Sequence, residues 1–437
     1  MNRREFLETS AVTGAVLGAA TVGAAQQPKT YRLGVIGCGW YGMVNCRHAM
    51  NEPNIEVTGL CDVDSQHLRA AADEVEKHTK RRPATFGDFR AMLKPKSLDI
   101  VIVGTPDHWH ALTTIAALES GADVYVEKPI SHTYLEGRAM VQAARKHKRV
   151  VQVGTQRRST PHIRSARDFL RKGNLGRVGV VRAFCYWHVR SNQNPPDEQP
   201  PKHLDFDMWT GPAPLLKYNR LFHPRQWRNF SEFGNGIVGD MGIHMLDTVR
   251  WFMDIGYPRR VSSTGGIYVL RGSRPNITDT QTVTYDYPDC TVIWEHRAYG
   301  RAEHPSAGWG VTFYGERGSL QLTLDGWDFF PQGNGKPVHE DAQREKVPNE
   351  QLEPPNIAPA GRAHWRNFLE SVRTRNRPVA DIEEGHISTA MCQFGNMSQQ
   401  LGRSITWDAQ LERCTGDDAA NRLLRRDYRK PWVYPGD

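Results

Sequence analysis

The sequence predicts an α/β protein of two domains, a parallel sheet wrapped by helices followed by a large, mainly antiparallel open sheet. Three observations carry this. An apolar run from Tyr31 to Ile36 breaks into the glycine-spaced turn Gly37 to Gly42 and is followed by a second apolar run that ends at Cys61 and meets Asp62. Up to about residue 155, short β-branched runs alternate with stretches of helical spacing, the texture of a parallel sheet. After residue 175 come several short alternating runs separated by turn residues, as expected of an antiparallel sheet.

The first element is a dinucleotide-binding turn in its proper strand–turn–helix setting, the opening of a Rossmann domain. Gly37 permits the tight turn, Gly39 lets the backbone approach a diphosphate, and Gly42 lets the helix pack on the strand, with Trp40 and Tyr41 between them. The diphosphate is expected at the helix N-terminus. Asp62 lies twenty positions after Gly42. A carboxylate there accepts hydrogen bonds from ribose hydroxyls and repels a 2′-phosphate, which favours NAD over NADP. The bland alternative is an ordinary glycine-rich turn.

Ahead of this domain, Asn2 to Leu7 carries the pair Arg3 and Arg4, followed by a mildly apolar stretch of small residues from Ala11 to Ala25. This reads as a twin-arginine export signal over residues 1–28, with Gly23 to Ala25 as cleavage site and a periplasmic destination. A retained anchoring helix is the alternative, but the stretch is short for a span and interrupted by glycine and threonine. Nothing later is apolar for long enough to cross a bilayer. The twin-arginine route carries folded proteins, so a cofactor is expected to be inserted in the cytoplasm, held tightly and recycled without exchange.

Composition narrows the class. At 437 residues and 39% hydrophobic, the chain is long enough for two cores. The net charge of +8 is spread along the chain and interleaved with acids, the pattern of a solvated basic surface and not of a nucleic-acid groove. The seven cysteines, Cys38, Cys46, Cys61, Cys185, Cys290, Cys392 and Cys414, show neither metal-ligand nor disulfide-framework spacing.

Along the chain, strands are expected at Ile55 to Leu60, Ile100 to Val103, Val124 to Val126 and Val150 to Val153, with helices at His110 to Glu119 and Leu135 to His147. These complete the cofactor domain, residues 29–155. The second domain, 156–403, is expected to hold strands at Val178 to Tyr186, Val261 to Val269, Thr280 to Tyr287, Thr291 to His296, Val311 to Tyr314 and Ser319 to Leu324. Ser191 to His203 and Pro331 to Arg362 are polar, proline-rich and read as surface loops. Two helices follow, one with the stripe Trp365, Phe368, Leu369 and Val372, the other with Ile387, Met391, Phe394, Ser398 and Leu401. The tail, 404–437, is aromatic and basic and is expected to latch onto the fold or a second subunit.

Candidate chemistry gathers at a few positions. Lys128 follows the strand ending at Val126, at the carboxyl edge where doubly wound sheets place ligands, and Pro129 restricts its backbone. Beside a positively charged nicotinamide an ammonium is disfavoured, which suits a group that shares a proton with a substrate hydroxyl. The alternative is a surface lysine paired with Glu127. Asp240 and His244 are four apart, so a helix over 236–252 projects both from one face, continued by Asp247 and Trp251. Imidazole titrates near neutrality, which makes His244 the candidate general base. Asp107, His108 and His110 lack the spacing of a metal site, and no metal is expected.

Four segments in order, Gly37 to Gly42, Thr105 to His110, Glu127 to Pro129 and Asp240 to His244, resemble the successive motifs of the Gfo/Idh/MocA oxidoreductases. Trp209 to Pro214 and Gly154 to Ser159 resemble the exported, twin-arginine members. The resemblance spans roughly residues 30 to 402. It implies pyranose or cyclitol substrates in the cleft between the domains, and Lys128, Asp240 and His244 as the catalytic set. It further implies cofactor contacts from Thr105, Pro106, His108, His110, Glu127, Lys128 and Gln156, and pairing of open sheets into a homo-oligomer. Arg157, Tyr186, His188 and Trp209 are candidates to line the sugar pocket, or plain packing residues.

The function expected is NAD-dependent hydride transfer from a carbohydrate CH–OH group. A glycosidase that oxidises a ring hydroxyl transiently, eliminates and re-reduces is the second reading. A non-catalytic exported sugar-binding protein is the third, and the intact Lys128, Asp240 and His244 argue against it.

Overall fold

The structure is a computed structural model that describes residues 29–300, 307–347 and 354–437. The export-signal reading, residues 1–28, lies outside them.

The chain opens as β1 (Tyr31–Ile36), α1 (Trp40–Met50), β2 (Ile55–Cys61), α2 (Ser65–Thr79), β3 (Ala84–Phe86), α3 (Phe89–Leu93) and β4 (Ile100–Val103). It continues with α4 (His110–Ser120), β5 (Asp123–Val126), α5 (Tyr134–Lys146) and β6 (Val151–Val153). These six strands form a parallel sheet in the order β3-β2-β1-β4-β5-β6. The order reverses beside β1, which opens a crevice at the carboxyl ends of β1 and β4. Ile100 to Val103 and Asp123 to Val126 are buried throughout, because helices cover both faces of the sheet. Helix starts follow local chemistry: Asp64 caps α2 and Asp88 caps α3, while Thr133 and Glu136 form a capping box on α5.

The second part comprises α6 (Pro161–Arg171), β7 (Val178–Cys185), α7 (Phe206–Thr210), α8 (Ile243–Met253), β8 (Arg260–Gly266), β9 (Thr280–Asp286) and β10 (Thr291–Arg297). There follow β11 (Trp309–Gly315), β12 (Gly318–Thr323), β13 (Gly326–Pro331), β14 (Val338–Asp341), α9 (Ala358–Thr374), α10 (Ile382–Leu401), β15 (Ile405–Asp408), β16 (Arg413–Cys414) and α11 (Asp418–Arg422). Ten strands run in the order β14-β13-β12-β11-β7-β10-β9-β8-β15-β16, antiparallel except where β7 meets β10. One face holds the core around Val181, Val283, Trp294 and Phe313, under α8 and α10. On the other, Val180, Tyr314 and Phe330 are exposed, and register places Val180 opposite Tyr314 and Phe330 opposite Ser319.

Three expectations need correction. The strand expected to reach Val269 ends at Gly266, because the Asp279 carboxylate takes the backbone N–H groups of Tyr268, Val269 and Leu270 at 2.7–3.0 Å and turns the chain. The expected loop from Pro331 to Arg362 contains β14, an edge strand whose polar residues show no hydrophobic alternation, and the first turn of α9. Helix α9, late in sequence, packs on the first sheet: Trp365 stacks on Tyr125 with ring centroids 5.0 Å apart. The tail returns to the same domain, where Tyr428 donates to Glu136 at 2.6 Å and Trp432 packs edge-on to Trp109. Among the described residues no helix is long and apolar enough to cross a membrane.

Buried imidazoles make this core sensitive to acid. Burial lowers the pKa of His296 and His386 to about 3 and of His364 to about 4, against 6.5 for the free group. The unfolded chain therefore takes up protons that the folded one refuses. Their contribution is intact above pH 6.5 and is lost as the pH falls toward 4, by about 1.4 kcal/mol per pH unit per group. Asp107, pushed up to about 7 by burial, acts in the opposite sense, as do Asp62 and Glu127, also raised by burial, while His108 and His110, lowered to about 3 and about 4, add to the three rings. Thermal denaturation should show Tm falling steadily between pH 6.5 and 4.5; a flat Tm there would contradict the neutral burial of these rings.

Candidate active site

The crevice of the parallel sheet continues into a cavity of about 520 Å³ walled by both domains, and its lining runs from the glycine turn to α8. At one end, Gly37 adopts φ +89°, and a Cβ on Gly42 would stand 1.9 Å from the Gly37 carbonyl oxygen. A Cβ on Gly39 would meet only His67, at 4.0 Å, so the turn is open on the side where a diphosphate would lie. The first turn of α1 carries no acidic residue, which leaves its positive end available to an anion. Asp62 is fixed by backbone N–H groups, Cys38 on one oxygen at 2.7 Å and Asp64 on the other at 2.8 Å, and each oxygen retains a lone pair for a ribose hydroxyl. Gln156 donates to the Tyr41 hydroxyl at 2.7 Å, and its buried Oε1 has no partner. These residues fit a bound dinucleotide.

At the other end, the Lys128 ammonium is 2.8 Å from Asp240 Oδ1 and 2.7 Å from the Asp240 carbonyl oxygen. The alternative pairing with Glu127 is not made. The Glu127 carboxylate accepts from Asn45 at 2.7 Å and lies under Gly154, where a Cβ would come within 2.6 Å of it. Asp240 sits in a π-helical turn, Val238–Gly242, that leads into α8. It also accepts from Arg228 at 3.3 Å and His188 at 3.1 Å. Burial opposes its ionisation, but Lys128, Arg228 and His188 hold its carboxyl well below the usual range. His244, one turn on, lines the cavity edge-on to Trp309 with centroids 5.4 Å apart, and its buried Nδ1 has no protein partner. Burial, then Lys128 and Arg157, push its pKa well below 6.5, so the ring is neutral. The face it shares with Asp247 runs deeper, where Asp247 pairs with Arg158 at 2.8 Å. Trp251 packs under the Arg167 guanidinium, 4.5 Å away.

Among the other sequence candidates, Trp40, Thr105, Pro106, Arg157, His188 and Trp209 line the cavity. His110 does so as a brace, its ring nitrogens at 2.7 and 2.8 Å from the carbonyl oxygens of Pro129 and Thr105. Two candidates are corrected. His108 is not part of the lining: its ring lies between the carbonyl oxygens of Phe233 and Trp209 at 3.2 and 3.0 Å, pinning the second domain to the first. Tyr186 is also outside it. The alternation of β7 turns Tyr186 with Phe184 to the face opposite Cys185, where its hydroxyl donates to Glu295 at 2.8 Å.

Sequence reasoning missed the strap formed by residues 187–237, which crosses the cavity from the second domain. Phe206, Trp209, Phe222, Phe230 and Phe233 give it a core of its own. Its anchor on the cofactor domain is Asp64, whose carboxylate lies 3.0 Å from His203 Nδ1 and 2.8 Å from His223 Nε2 and also caps α2. His67 completes a cluster with Asp64 and His223 of a kind able to ligate a metal, already closed by these hydrogen bonds. Arg225 of the strap stacks on Trp40 at 4.0 Å, beside the glycine turn. Arg228, Arg225 and Trp309 belong to no motif and lie far in sequence from the groups they meet, so no local signal marks them.

Residues 31–155 match the model described as oxidoreductase family, NAD-binding Rossmann fold, and residues 176–300 and 330–434 match its C-terminal alpha/beta domain. A glycosyl hydrolase family 109 protein of Stenotrophomonas maltophilia is 34% identical over 133 residues, 29% of each chain. An inositol 2-dehydrogenase of Salmonella typhimurium is 27% identical over 159 residues, 36% of this chain and 46% of the other. The chain spans about half or less of the length of such curated relatives. An oxidoreductase from Agrobacterium radiobacter, solved in complex with NAD+, L-tartaric acid and magnesium, shares the fold with TM-score 0.68 at 16% identity, over 86% of this chain and 98% of that one.

The two glycines separate backbone room from ligand room. Gly39→Ala should leave the Tm of the cofactor-free protein unchanged yet weaken NAD binding by roughly tenfold or more. Gly42→Ala should lower Tm as well, since its Cβ meets backbone. Calorimetric titration and thermal denaturation of both variants check this; equal effects on stability would contradict the assignment.

Proposed function

The chain belongs to the Gfo/Idh/MocA oxidoreductase family, and on that premise we propose that it transfers hydride between a sugar or cyclitol CH–OH group and NAD held in the interdomain cavity. The observation that carries this reading is the joining of the Lys128–Asp240 pair and a neutral, unpartnered His244 to the glycine turn within one cavity. Bound NAD would supply the hydride acceptor. His244 is deprotonated and able to take the hydroxyl proton as the C–H bond is cleaved. Lys128, held by Asp240, is placed to donate a hydrogen bond to the same oxygen and orient it. Asp62 favours the unphosphorylated ribose, hence NAD over NADP.

Tight retention of the cofactor is part of the proposal. The strap is pinned to Asp64 and stacked on Trp40, so it must be displaced before a dinucleotide can leave. Retention accords with reading residues 1–28 as a twin-arginine signal and with a periplasmic enzyme that recycles its own NADH. The same logic supports a second reading, favoured by the likeness to a glycosyl hydrolase family 109 protein. In it a ring hydroxyl would be oxidised, loss of the adjacent acidified proton would expel the leaving group to give an unsaturated ketone, water would add across that double bond, and the carbonyl would be re-reduced by the NADH formed in the first step. The exposed stripe of Val180, Tyr314 and Phe330 supports pairing of two open sheets in a homo-oligomer.

Mass spectrometry of the denatured protein should find NAD or NADH at about one per chain. His244→Ala and Lys128→Met should each reduce turnover by roughly 10²- to 10⁴-fold while the cofactor content stays near one. Release of a leaving group without net change in NADH absorbance selects the glycosidase; stoichiometric NADH selects the dehydrogenase. Variants as active as the parent would sink the assigned chemistry.

A further inference from the structure

Among the cations lining the cavity, one that is buried is left without a counter-charge from the protein. Lys128 and Arg228 both meet Asp240. Arg225 lies on Trp40 at the end where a diphosphate is expected. Arg157 is different: it is 7% exposed, it lines the cavity, and among the described residues it has no carboxylate within ion-pair distance and donates no hydrogen bond. Its guanidinium carbon stands 4.1 Å over the ring of Trp309. Arg158, the next residue, shows what a satisfied buried arginine looks like here, with two 2.8 Å hydrogen bonds to Asp247.

A buried guanidinium without a counter-charge is costly, because its desolvation goes uncompensated. Burial pushes its pKa down to about 9, which still leaves it charged at neutral pH. The stacking ring supplies only a weak, neutral partner. Its position says which ligand would supply the anion. Trp309 touches both Arg157 and His244, so the free cation is one indole away from the proposed base and belongs to the substrate end. The buried indole Nε1 of Trp309 also lacks a partner, a second unused donor in the same wall.

We propose that Arg157 binds a carboxylate of the substrate, so that the natural substrate is an acidic sugar, a uronate or aldonate, and not a neutral pyranose. This rests on the oxidoreductase reading for the reaction itself, but the recognition step is testable without turnover. A carboxylate matches a single guanidinium in charge and in its two-oxygen geometry. A charge-assisted contact of this kind corresponds to roughly tenfold to a hundredfold in affinity.

The test is calorimetric titration of the NAD-loaded protein with D-glucuronate, D-galacturonate, their methyl esters, D-glucose, D-galactose and glucose 6-phosphate. At least one uronate should bind roughly tenfold or more tighter than its hexose and its ester. In Arg157→Met that ratio should collapse toward one, and Arg157→Lys should restore part of it, with NAD content unchanged in both. Three results would overturn the proposal: equal binding of acid and neutral sugar, tighter binding of the phosphate ester than of any uronate, or loss of bound NAD in Arg157→Met, which would make the cofactor diphosphate the counter-ion. Cofactor reduction is read separately. Uronate binding without reduction keeps the carboxylate site and removes the hydride-transfer reading, whereas reduction by neutral hexoses with no preference for acids does the reverse.

Discussion

The structure turns on one buried ion pair, Lys128 with Asp240, that joins the end of a strand in the first domain to a π-helical turn in the second. Both side chains are largely shielded, so the Lys128 charge is costly without Asp240. Losing one partner of such a pair costs about 3–5 kcal/mol, most of it the penalty on the charge left behind. Asp240 then draws Arg228 from the strap and His188 from the chain after β7 onto the same carboxylate. Three segments converge on one anion, and that convergence closes the cavity. It also leaves the His244 Nδ1 without a protein partner, in a ring that burial, then Lys128 and Arg157, keep neutral.

The rest of the charge distribution follows the same separation between structure and ligand. Asp64 is consumed by His203, His223 and the cap of α2, which fastens the strap over the cofactor end. Asp247 is consumed by Arg158 and Ser388 beneath the cavity floor. His108 and His110 are consumed by backbone carbonyls. What stays unanswered in the cavity wall is short: the Thr105 Oγ1, the Gln156 Oε1, the His244 Nδ1, the Trp309 Nε1 and the Arg157 guanidinium. These are the groups for which a ligand has something to offer.

Much of the first domain was legible because its signals are local. A strand, a glycine turn and a helix occupy consecutive residues, and the steric reasons for Gly37 and Gly42 act within the motif itself. The spacing of Asp240 and His244 likewise belongs to one helical segment. Tyr186 and His108 were misplaced for the opposite reason. Tyr186 lies two residues from His188, yet β7 ends at Cys185 and the chain leaves the pleat beyond it, so Tyr186 stays stacked on Phe184 while His188 reaches Asp240. His108 is two residues from His110, yet only His110 reaches the cavity, and nothing in the local pattern separates them. The edge strand β14 carried no alternation because an edge need not bury either face.

By itself the sequence determined the α/β class and the dinucleotide turn, which depend on periodicity and on contacts between near neighbours, and it singled out Asp62, Lys128, Asp240 and His244 as candidates. Only the tertiary structure decided that α9 and the tail pack against the first domain, that the strap reaches over to it, and which of two adjacent arginines is paired. Those outcomes depend on desolvation and on charge partners tens to hundreds of residues apart: Arg158 finds Asp247, Arg157 finds only Trp309. A sequence places both cations side by side; the fold decides which of them is left for a ligand.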